Sequence, residues 1–517
     1  MRARRAVAVR AGFEPACLGL VRGGQRIDEA REASFVSDMA ARLRAALPDV
    51  TMSFQGDPDY DKARATWNVR TQARPLGLVQ PSNTAQVQAV VRAARAAGVT
   101  QLAIRSGGHS IEGNGLGGPD SHALVIDLVK MRAISVDPQA KVVTAEPAVL
   151  TGILHSKAFE HQLSVPTGDC LNVGLGGQVT AGGYGRCLRT FGNLTDQALE
   201  FEVVTMDGEV RTANTVEHPD LFWALRGSGT GSFGIITRMR LRANDAPKAP
   251  ANFTFRWHFD EVDVARTLIE VQRYCLDSPV TFSPILVAWR GMIELSGGLF
   301  TDTPEQRDAL IADMRAKLPT PTETPETEPM TFLQVLERQS EEQTSAHWLV
   351  DASTVTREAN THPRYQKIRA GFLPNPLSES LIHEFADLLK RQQPGNRVQF
   401  CLLNPDVEPP VADCAIKNRG CTWLSGFGTD IDLGDMTVEE LRAEGDRRYR
   451  EWEDHAYELF HPYSVGPYIG DDDLMEGDRG RDLFEAYYGE HLPRLKQIKR
   501  KYDPDNLLHH KMSIPLE

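Results

Sequence analysis

Two side chains that can act as nucleophiles, His109 and Cys170, each lie in a glycine-rich segment of this chain of 517 residues. A neutral imidazole and a thiolate can both attack an electrophilic ring, and glycine lets the backbone approach a ligand closely. We therefore predict one nucleotide cofactor that is held by covalent bonds as well as by contacts. The first segment reads Arg105-Ser106-Gly107-Gly108-His109-Ser110, and the second continues from Cys170 to Gly176-Gly177 and Gly182-Gly183-Tyr184-Gly185.

A structural explanation competes with this chemical one. A single histidine is most often a hydrogen-bonded or surface residue, and a single buried cysteine behaves as a small hydrophobe. Glycines before a helix can also form a turn that binds nothing, although they let backbone N–H groups close on a phosphate. His109 and Cys170 lie 61 positions apart in two such segments, and this pairing favours a phosphate-bearing cofactor over structural residues and turns that bind nothing.

The composition narrows the range of partners. Lys and Arg number 57 against 70 Asp and Glu, which gives a net charge of −13 and disfavours nucleic acid. No apolar run is long enough to span a membrane, and the first residues lack a signal-peptide core. We expect a cytoplasmic protein with a small-molecule substrate and no membrane partner. The oligomeric state stays open.

The seven cysteines are too few for the disulfide framework of a secreted protein. Cys414 and Cys421 have no paired histidine or cysteine at zinc spacing, so no metal site is predicted and the two are interpreted as structural or incidental. Residues 1–33 are interpreted as a disordered extension.

The elements that must position the two segments alternate between helix and strand. A helix is predicted at residues 84–97, capped by Ser82 or Asn83 and ended by Gly98, and a strand at 101–105 delivers the first glycine loop. Strands at 200–206 and 209–213 flank Asp207-Gly208, a dipeptide favoured in hairpin turns.

The chain changes character after residue 250. Strands are predicted at 253–259, 282–289, 292–300, 397–403 and 422–427, with helices near 304–317 and 378–391 and a hairpin turn at Arg290-Gly291. Residues 320–329 are predicted as an exposed loop. These elements indicate an antiparallel sheet backed by helices, so the fold class is α+β.

The quoted segments, together with Tyr502-Asp503-Pro504-Asp505-Asn506, resemble the berberine bridge enzyme-like flavoproteins of the vanillyl-alcohol oxidase superfamily. The resemblance covers residues 65–245 and 465–515. It implies a two-part PCMH-type FAD-binding domain at 34–250, a substrate domain at 251–450, and a segment at 451–517 that returns to the FAD domain.

The resemblance also implies how the cofactor is held. FAD would be linked through its 8α-methyl carbon to His109 and through ring carbon 6 to Cys170, which is the doubly linked form. Arg105 to Ser110 would lie against the pyrophosphate. Gly176, Gly177, Gly182 and Gly183 would let the backbone approach the cofactor, with Tyr184 beside them.

The resemblance implies a catalytic base either on the sheet that roofs the cofactor or in the stretch before the final helix. Tyr468 matches the aromatic residue of a short family pattern, although Gly470 replaces the usual Asn, so Tyr463 remains a rival. A structural role for either tyrosine is an equal alternative. Glu294, Trp289, Arg290, His347, Trp348 and Trp423 are candidates for the substrate cleft.

The resemblance implies an oxidation at a C–H next to oxygen or nitrogen, in a sugar or a secondary metabolite. Electrons would pass from FAD to dioxygen and yield hydrogen peroxide. Two alternatives stay open: a dehydrogenase that uses another acceptor, and a flavin-binding protein without turnover.

Overall fold

The computed structural model describes residues 21–66, 68–119, 121–229, 231–339, 364–477 and 480–517. Two of the predicted cleft residues, His347 and Trp348, lie outside these ranges. Within them, no helix has both the length and the apolar content needed to cross a membrane.

The first sheet has four strands, and one of them ends at the His109 loop. Their order is Thr51–Phe54, Gly77–Gln80, Leu124–Asp127 and Leu102–Arg105, with the first pair antiparallel and the others parallel. Helix Thr84–Ala96 packs on this sheet, and the side chain of its cap Asn83 accepts a hydrogen bond from the Gln86 N–H at 3.0 Å. The prediction of this helix is confirmed.

The N-terminal prediction is wrong for residues 21–33. They form the first turns of helix Val21–Ala46, whose second half packs Val36 and Leu43 into the core of the first sheet. Gly23, Gly24 and the many charged residues weaken the helical pattern in the first half, so the sequence reads as unstructured there. Residues 1–20 lie outside the described ranges.

The second sheet is antiparallel and has five strands. Its order is Ile134–Asp137, Val142–Ala145, Ile235–Arg242, Ala198–Val204 and Val210–Ala213. The last two strands form the predicted hairpin, in which Gly208 has φ 79° and donates its N–H to the Thr205 carbonyl at 2.9 Å. Helices Thr151–Phe159, Pro219–Leu225 and Leu492–Tyr502 share a hydrophobic core with this sheet.

The third sheet belongs to the middle of the chain and has seven antiparallel strands. Their order is Glu326–Pro329, Ala251–His258, Met292–Leu299, Phe282–Trp289, Asn396–Leu402, Trp423–Asp432 and Arg364–Leu373. Arg290 and Gly291 form the predicted hairpin turn, both at positive φ. The prediction of a loop at 320–329 is wrong for residues 326–329, which form an edge strand paired with Ala251–His258.

Helices cover one face of the third sheet and leave the other face to the rest of the molecule. Val264–Asp277, Pro304–Lys317, Glu379–Leu389 and Asp454–Phe460 contribute side chains to its core. Trp452 and Phe460 pack in this core as well, and the domain boundary at residue 451 stays a prediction. The remaining helices and strands are Tyr60–Arg64, Leu163–Ser164, Leu175–Ala181, Leu188–Phe191, Asn244–Asp245, Phe332–Gln339, Val438–Arg448 and Leu483–Tyr488.

The C-terminal Tyr502-Asp503-Pro504 motif closes the last helix. The Asp503 carboxylate accepts hydrogen bonds from the backbone N–H groups of Leu507 and Leu508 at 2.8 and 2.9 Å, and pairs with Lys499 at 2.6 Å. Lys499 Nζ also donates to the carbonyls of Ser232 and Leu508. This buried network attaches the C-terminal segment to Ser232, just before strand Ile235–Arg242 of the second sheet.

Candidate functional site

A cavity of about 270 Å³ lies where the two glycine loops, the open face of the third sheet and the C-terminal segment meet. His109 and Cys170 both line it. The predicted site residues Arg105, Ser106, Gly107, Gly108, Ser110, Gly177, Gly183, Tyr184 and Tyr468 line it as well.

The two loops meet through their glycines. A Cβ added at Gly107 would lie 2.9 Å from Cα of Gly174, and a Cβ at Gly174 would lie 2.8 Å from Cα of Gly107. Gly108 has φ 83°, a conformation that favours glycine. This backbone packing brings the segments of His109 and Cys170 to one cavity.

The His109 imidazole is held in its neutral form. Burial lowers its pKa to about 4, because removal from water disfavours the charged imidazolium. A neutral imidazole keeps a nitrogen lone pair for attack on an electrophile.

Cys170 is the accessible thiol among the described cysteines. It is partly exposed, whereas Cys187, Cys275, Cys401, Cys414 and Cys421 are buried. Burial raises the pKa of Cys401, which lines the same cavity from the third sheet, to about 12. Its thiol is therefore protonated and a poor nucleophile.

Three of the predicted cofactor-binding residues make close contacts within the protein. The Arg105 guanidinium pairs with Asp127 at 2.8 Å inside the protein, and the residue also lines the cavity. A Cβ at Gly176 would lie 2.8 Å from Pro147, and one at Gly182 would lie 2.6 Å from the Tyr184 ring. These two glycines permit contacts within the protein and do not line the cavity, and their approach to a cofactor stays a prediction.

The two candidate bases have different surroundings. Tyr468 is buried, and its phenol oxygen accepts a hydrogen bond from the Gly183 N–H at 3.1 Å. Its ring contacts Tyr184 edge to face, with centroids 4.9 Å apart. Burial and the nearby Asp471 carboxylate raise the pKa of Tyr468, against the lowering expected of a base. Tyr463 is 52% exposed and does not line the cavity.

The open face of the third sheet supplies residues that no motif revealed. The described strands contribute Arg364, Gln366, Ile368, Gln399, Cys401 and Leu424 to the cavity. Gln399 lies opposite Gly426, where a Cβ would meet the Gln399 side chain at 3.1 Å. Glycine therefore leaves room for this carboxamide, and alternation within the predicted strands was the signal that could have found it.

The four predicted cleft residues that the structure describes lie outside the cavity lining. Glu294 pairs with Arg256 at 2.8 Å, and Trp423 is buried in the core under the helices. Arg290 stacks on the ring of Trp289, which packs at the edge of the apolar cluster around Tyr468. None of these four lines the cavity.

Two consecutive carboxylates of the C-terminal segment, Asp471 and Asp472, also line the cavity. Asp471 acts on Tyr468 and Cys401, since its charge helps to raise the pKa of both. Asp472 is directed to the His109 loop. In the part of the chain that is described, no cluster of His, Cys, Asp and Glu could hold a metal ion.

The lining suits the FAD that the sequence implies. A neutral imidazole and an accessible thiol face the same space, and the glycines of both loops leave the backbone uncovered for a large ligand. His109 and Cys170 would hold such a cofactor from two loops.

Comparisons with known proteins agree with this lining. The model of the "FAD binding domain" family matches residues 75–214, and the "Berberine and berberine like" model matches residues 468–515. Berberine bridge enzyme-like 7 of Arabidopsis thaliana is 26% identical over 465 residues, which cover 85% of this chain and 84% of that protein.

Solved structures share the whole fold. Wild-type BBE-like 1 of Physcomitrella patens superposes with a TM-score of 0.80 at 25% identity, covering 93% of this chain and 99% of that one. The structure of an Acremonium strictum glucooligosaccharide oxidase, reported to reveal a novel flavinylation, superposes with a TM-score of 0.78 at 22% identity over 93% and 98% of the chains. The family models match both the cofactor loops and the C-terminal segment, and over most of its length this chain is similar to berberine bridge enzyme-like proteins, which supports an FAD-linked oxidoreductase.

Proposed function

We propose that this chain binds FAD covalently through His109 and Cys170 and oxidises a hydroxylated small molecule. The observation that carries the proposal is that both nucleophiles line one cavity, although they come from loops far apart in the sequence. His109 is neutral, and Cys170 is the accessible thiol among the described cysteines. Two attachments would fix the cofactor against the loops while the sheet face stays open to substrate.

Bound FAD would supply a two-electron acceptor for hydride from the C–H next to an oxygen or nitrogen. The chain must then hold the substrate and take its heteroatom proton. Gln366 and Gln399 offer carboxamides on the open sheet face, and each can both donate to and accept from a hydroxyl group. A sugar carries such hydroxyls at close spacing. The fold shared with a glucooligosaccharide oxidase favours the same substrate class.

The proton acceptor must line the cavity, because general-base catalysis needs hydrogen-bonding contact with the substrate. Tyr468 and Asp471 both meet this condition on the side of the sheet, and Tyr463 does not. Of the two, Asp471 carries the side chain that is ordinarily ionised at neutral pH. We propose Asp471 as the stronger candidate for the base and Tyr468 as a packing and hydrogen-bonding partner.

Acid precipitation of the purified protein tests the covalent attachment. We expect the yellow colour to stay with the precipitate and peptide mass spectrometry to find FAD on the peptides of His109 and Cys170. Free flavin in the supernatant would contradict this part of the proposal.

Anaerobic mixing with a panel of oligosaccharides, secondary-metabolite alcohols and amines tests the reaction. We expect oligosaccharides to bleach the flavin absorbance, and we expect air to restore it rapidly with release of hydrogen peroxide. Slow reoxidation in air would instead identify a dehydrogenase. Failure of every compound to bleach the flavin would leave a binding protein without turnover.

A further inference from the structure

Asp472 joins the C-terminal segment to the loop that follows His109. Its carboxylate accepts hydrogen bonds from Ser110 Oγ at 3.5 Å, from the Glu112 N–H at 3.4 Å and from the Asn114 side-chain amide. Ser110 Oγ in turn accepts the Asn114 N–H at 2.8 Å, which closes the loop on itself. One buried carboxylate therefore organises residues 110–114 directly beside His109.

Charged groups of both signs lie near the Asp472 carboxylate and have opposite effects on its pKa. Burial and the negative charge of Glu112 raise the pKa of Asp472 to about 7, while Lys367 and the donors of the loop oppose that rise. From the C-terminal side, Tyr487 and Tyr488 face it, and its charge contributes to the raised pKa of each phenol. Asp472 thus changes its ionisation near neutral pH.

We propose that Asp472 is a positioning residue for covalent attachment of FAD at His109: its ionised carboxylate holds residues 110–114 so that the imidazole faces the cofactor. The inference rests on the proposed function, in which His109 is an attachment site. In this role the Asp472 carboxylate acts on the attachment through the loop that it holds.

The attachment has a definite atom and electron balance. His109 loses its ring N–H proton and forms a C–N bond with the 8α carbon, and that carbon loses one hydrogen. The two protons and two electrons released are taken by dioxygen, which becomes hydrogen peroxide. With a pKa of about 4, His109 is already neutral above pH 6. Ionisation of His109 therefore does not change the rate of attachment near pH 7.

The rate of attachment can be measured separately from turnover. Apoprotein carrying Cys170→Ala would be produced in a riboflavin-auxotrophic host and mixed with FAD in air, so that only the His109 link can form. Mass spectrometry of the His109 peptide follows the rate from pH 6 to pH 8. A carboxylate with a pKa of about 7 becomes about tenfold more ionised over this range, so we expect about a tenfold rise in rate.

Variants of Asp472 test its role in the same background. We expect D472N to attach FAD at a rate that does not change with pH and does not exceed the parent rate at pH 6. D472E should restore part of the pH dependence. D482N is the matched control, because Asp482 is an exposed helix cap whose backbone contact Asn can keep. It should leave rate and pH profile unchanged. Quenching of FAD fluorescence reports non-covalent binding in each variant.

A second variant keeps the inference falsifiable if D472N fails to fold. The Asn114 amide lowers the pKa of Asp472, so N114A should move the midpoint of the pH profile above that of the parent. A merely structural contact would slow attachment without moving the midpoint. An unchanged midpoint, or an unchanged profile in D472N, overturns the role of Asp472. Absence of FAD from the His109 peptide at every pH overturns the proposed attachment itself.

Discussion

Gly107 and Gly174 pack backbone to backbone at the junction of the two loops, so that a Cβ on either would lie within 2.9 Å of the other's Cα. Gly107 precedes His109 by two positions, and Gly174 follows Cys170 by four. The contact therefore sets the distance between the two proposed attachment segments, and glycine at both positions is a geometric requirement of the site.

Gly107→Ala tests this requirement. Because the added methyl group would overlap main-chain atoms that cannot rotate away, we expect a loss of ~1–3 kcal/mol in the free energy of unfolding, together with a lower yield of covalent FAD. Gly477→Ala is the matched control, since its Cβ would meet nothing closer than 3.6 Å. Denaturant unfolding and flavin content measure both effects. Equal stability of the two variants would show that the loops can separate without cost.

Cys170→Ala tests the second attachment. We expect FAD to remain on the His109 peptide alone, with a changed absorption spectrum and weaker oxidising power, because one substituent on the ring is lost. Cys275→Ala removes a thiol buried in the core of the third sheet and should keep both links. Peptide mass spectrometry and potentiometric titration separate the variants. Two links in the Cys170→Ala protein would assign the second one to another residue.

Parts of the fold with local signals could be predicted from the sequence. The cap of helix Thr84–Ala96, the Asp207-Gly208 turn and the glycine loops each depend on neighbouring residues. The same holds for the hairpin at Arg290 and Gly291, where both residues have positive φ. Local chemistry was sufficient for these elements.

Strand Arg364–Leu373 was missed because its burial depends on distant partners. Lys367 and Arg369 are buried charges, and charged residues normally indicate an exposed position. Their partners, Glu112 and Asp473, lie far away along the chain. Asp472 and Gln399 could not be predicted for the same reason, because their roles arise only when three parts of the chain meet at the cavity.

Paired variants of Tyr468 and Asp471 test the assignment of the base. We expect Asp471→Asn to lower kcat by ~100-fold with FAD still attached, as loss of a general base does, and Tyr468→Phe to lower it by less than ~10-fold. Burial and the Asp471 charge raise the pKa of Tyr468 and outweigh the opposite effect of the Gly183 N–H that its oxygen accepts, so ionisation of this phenol is disfavoured. Tyr463→Phe serves as the control because Tyr463 lies outside the cavity. A larger loss in Tyr468→Phe than in Asp471→Asn would return the role to the phenol.

Lys367, on the third sheet, forms buried ion pairs with the loop that follows His109 and with the C-terminal segment. Its Nζ lies 2.6 Å from Glu112 Oε1 and also pairs with Asp473, and all three side chains are buried. Lys367→Met would leave two buried carboxylates without this partner, so we expect a loss of ~3–5 kcal/mol in the free energy of unfolding. Lys390→Met, which breaks an exposed pair with Asp387, should cost at most ~1 kcal/mol.

The same network predicts how stability depends on pH. Burial alone would raise the pKa of Glu112, but Lys367 and Arg70 outweigh it and hold the pKa below the ordinary value. A carboxylate with a depressed pKa in the folded state contributes stability above its unfolded pKa of ~4.3, and that contribution is lost as the pH falls through the folded value. Stability of the parent should therefore fall below pH ~4.3, and Lys367→Met should flatten this fall because it removes the charge that depresses the pKa. Denaturant unfolding between pH 3 and pH 7 measures both curves, and parallel curves would show that Lys367 does not control the ionisation of Glu112.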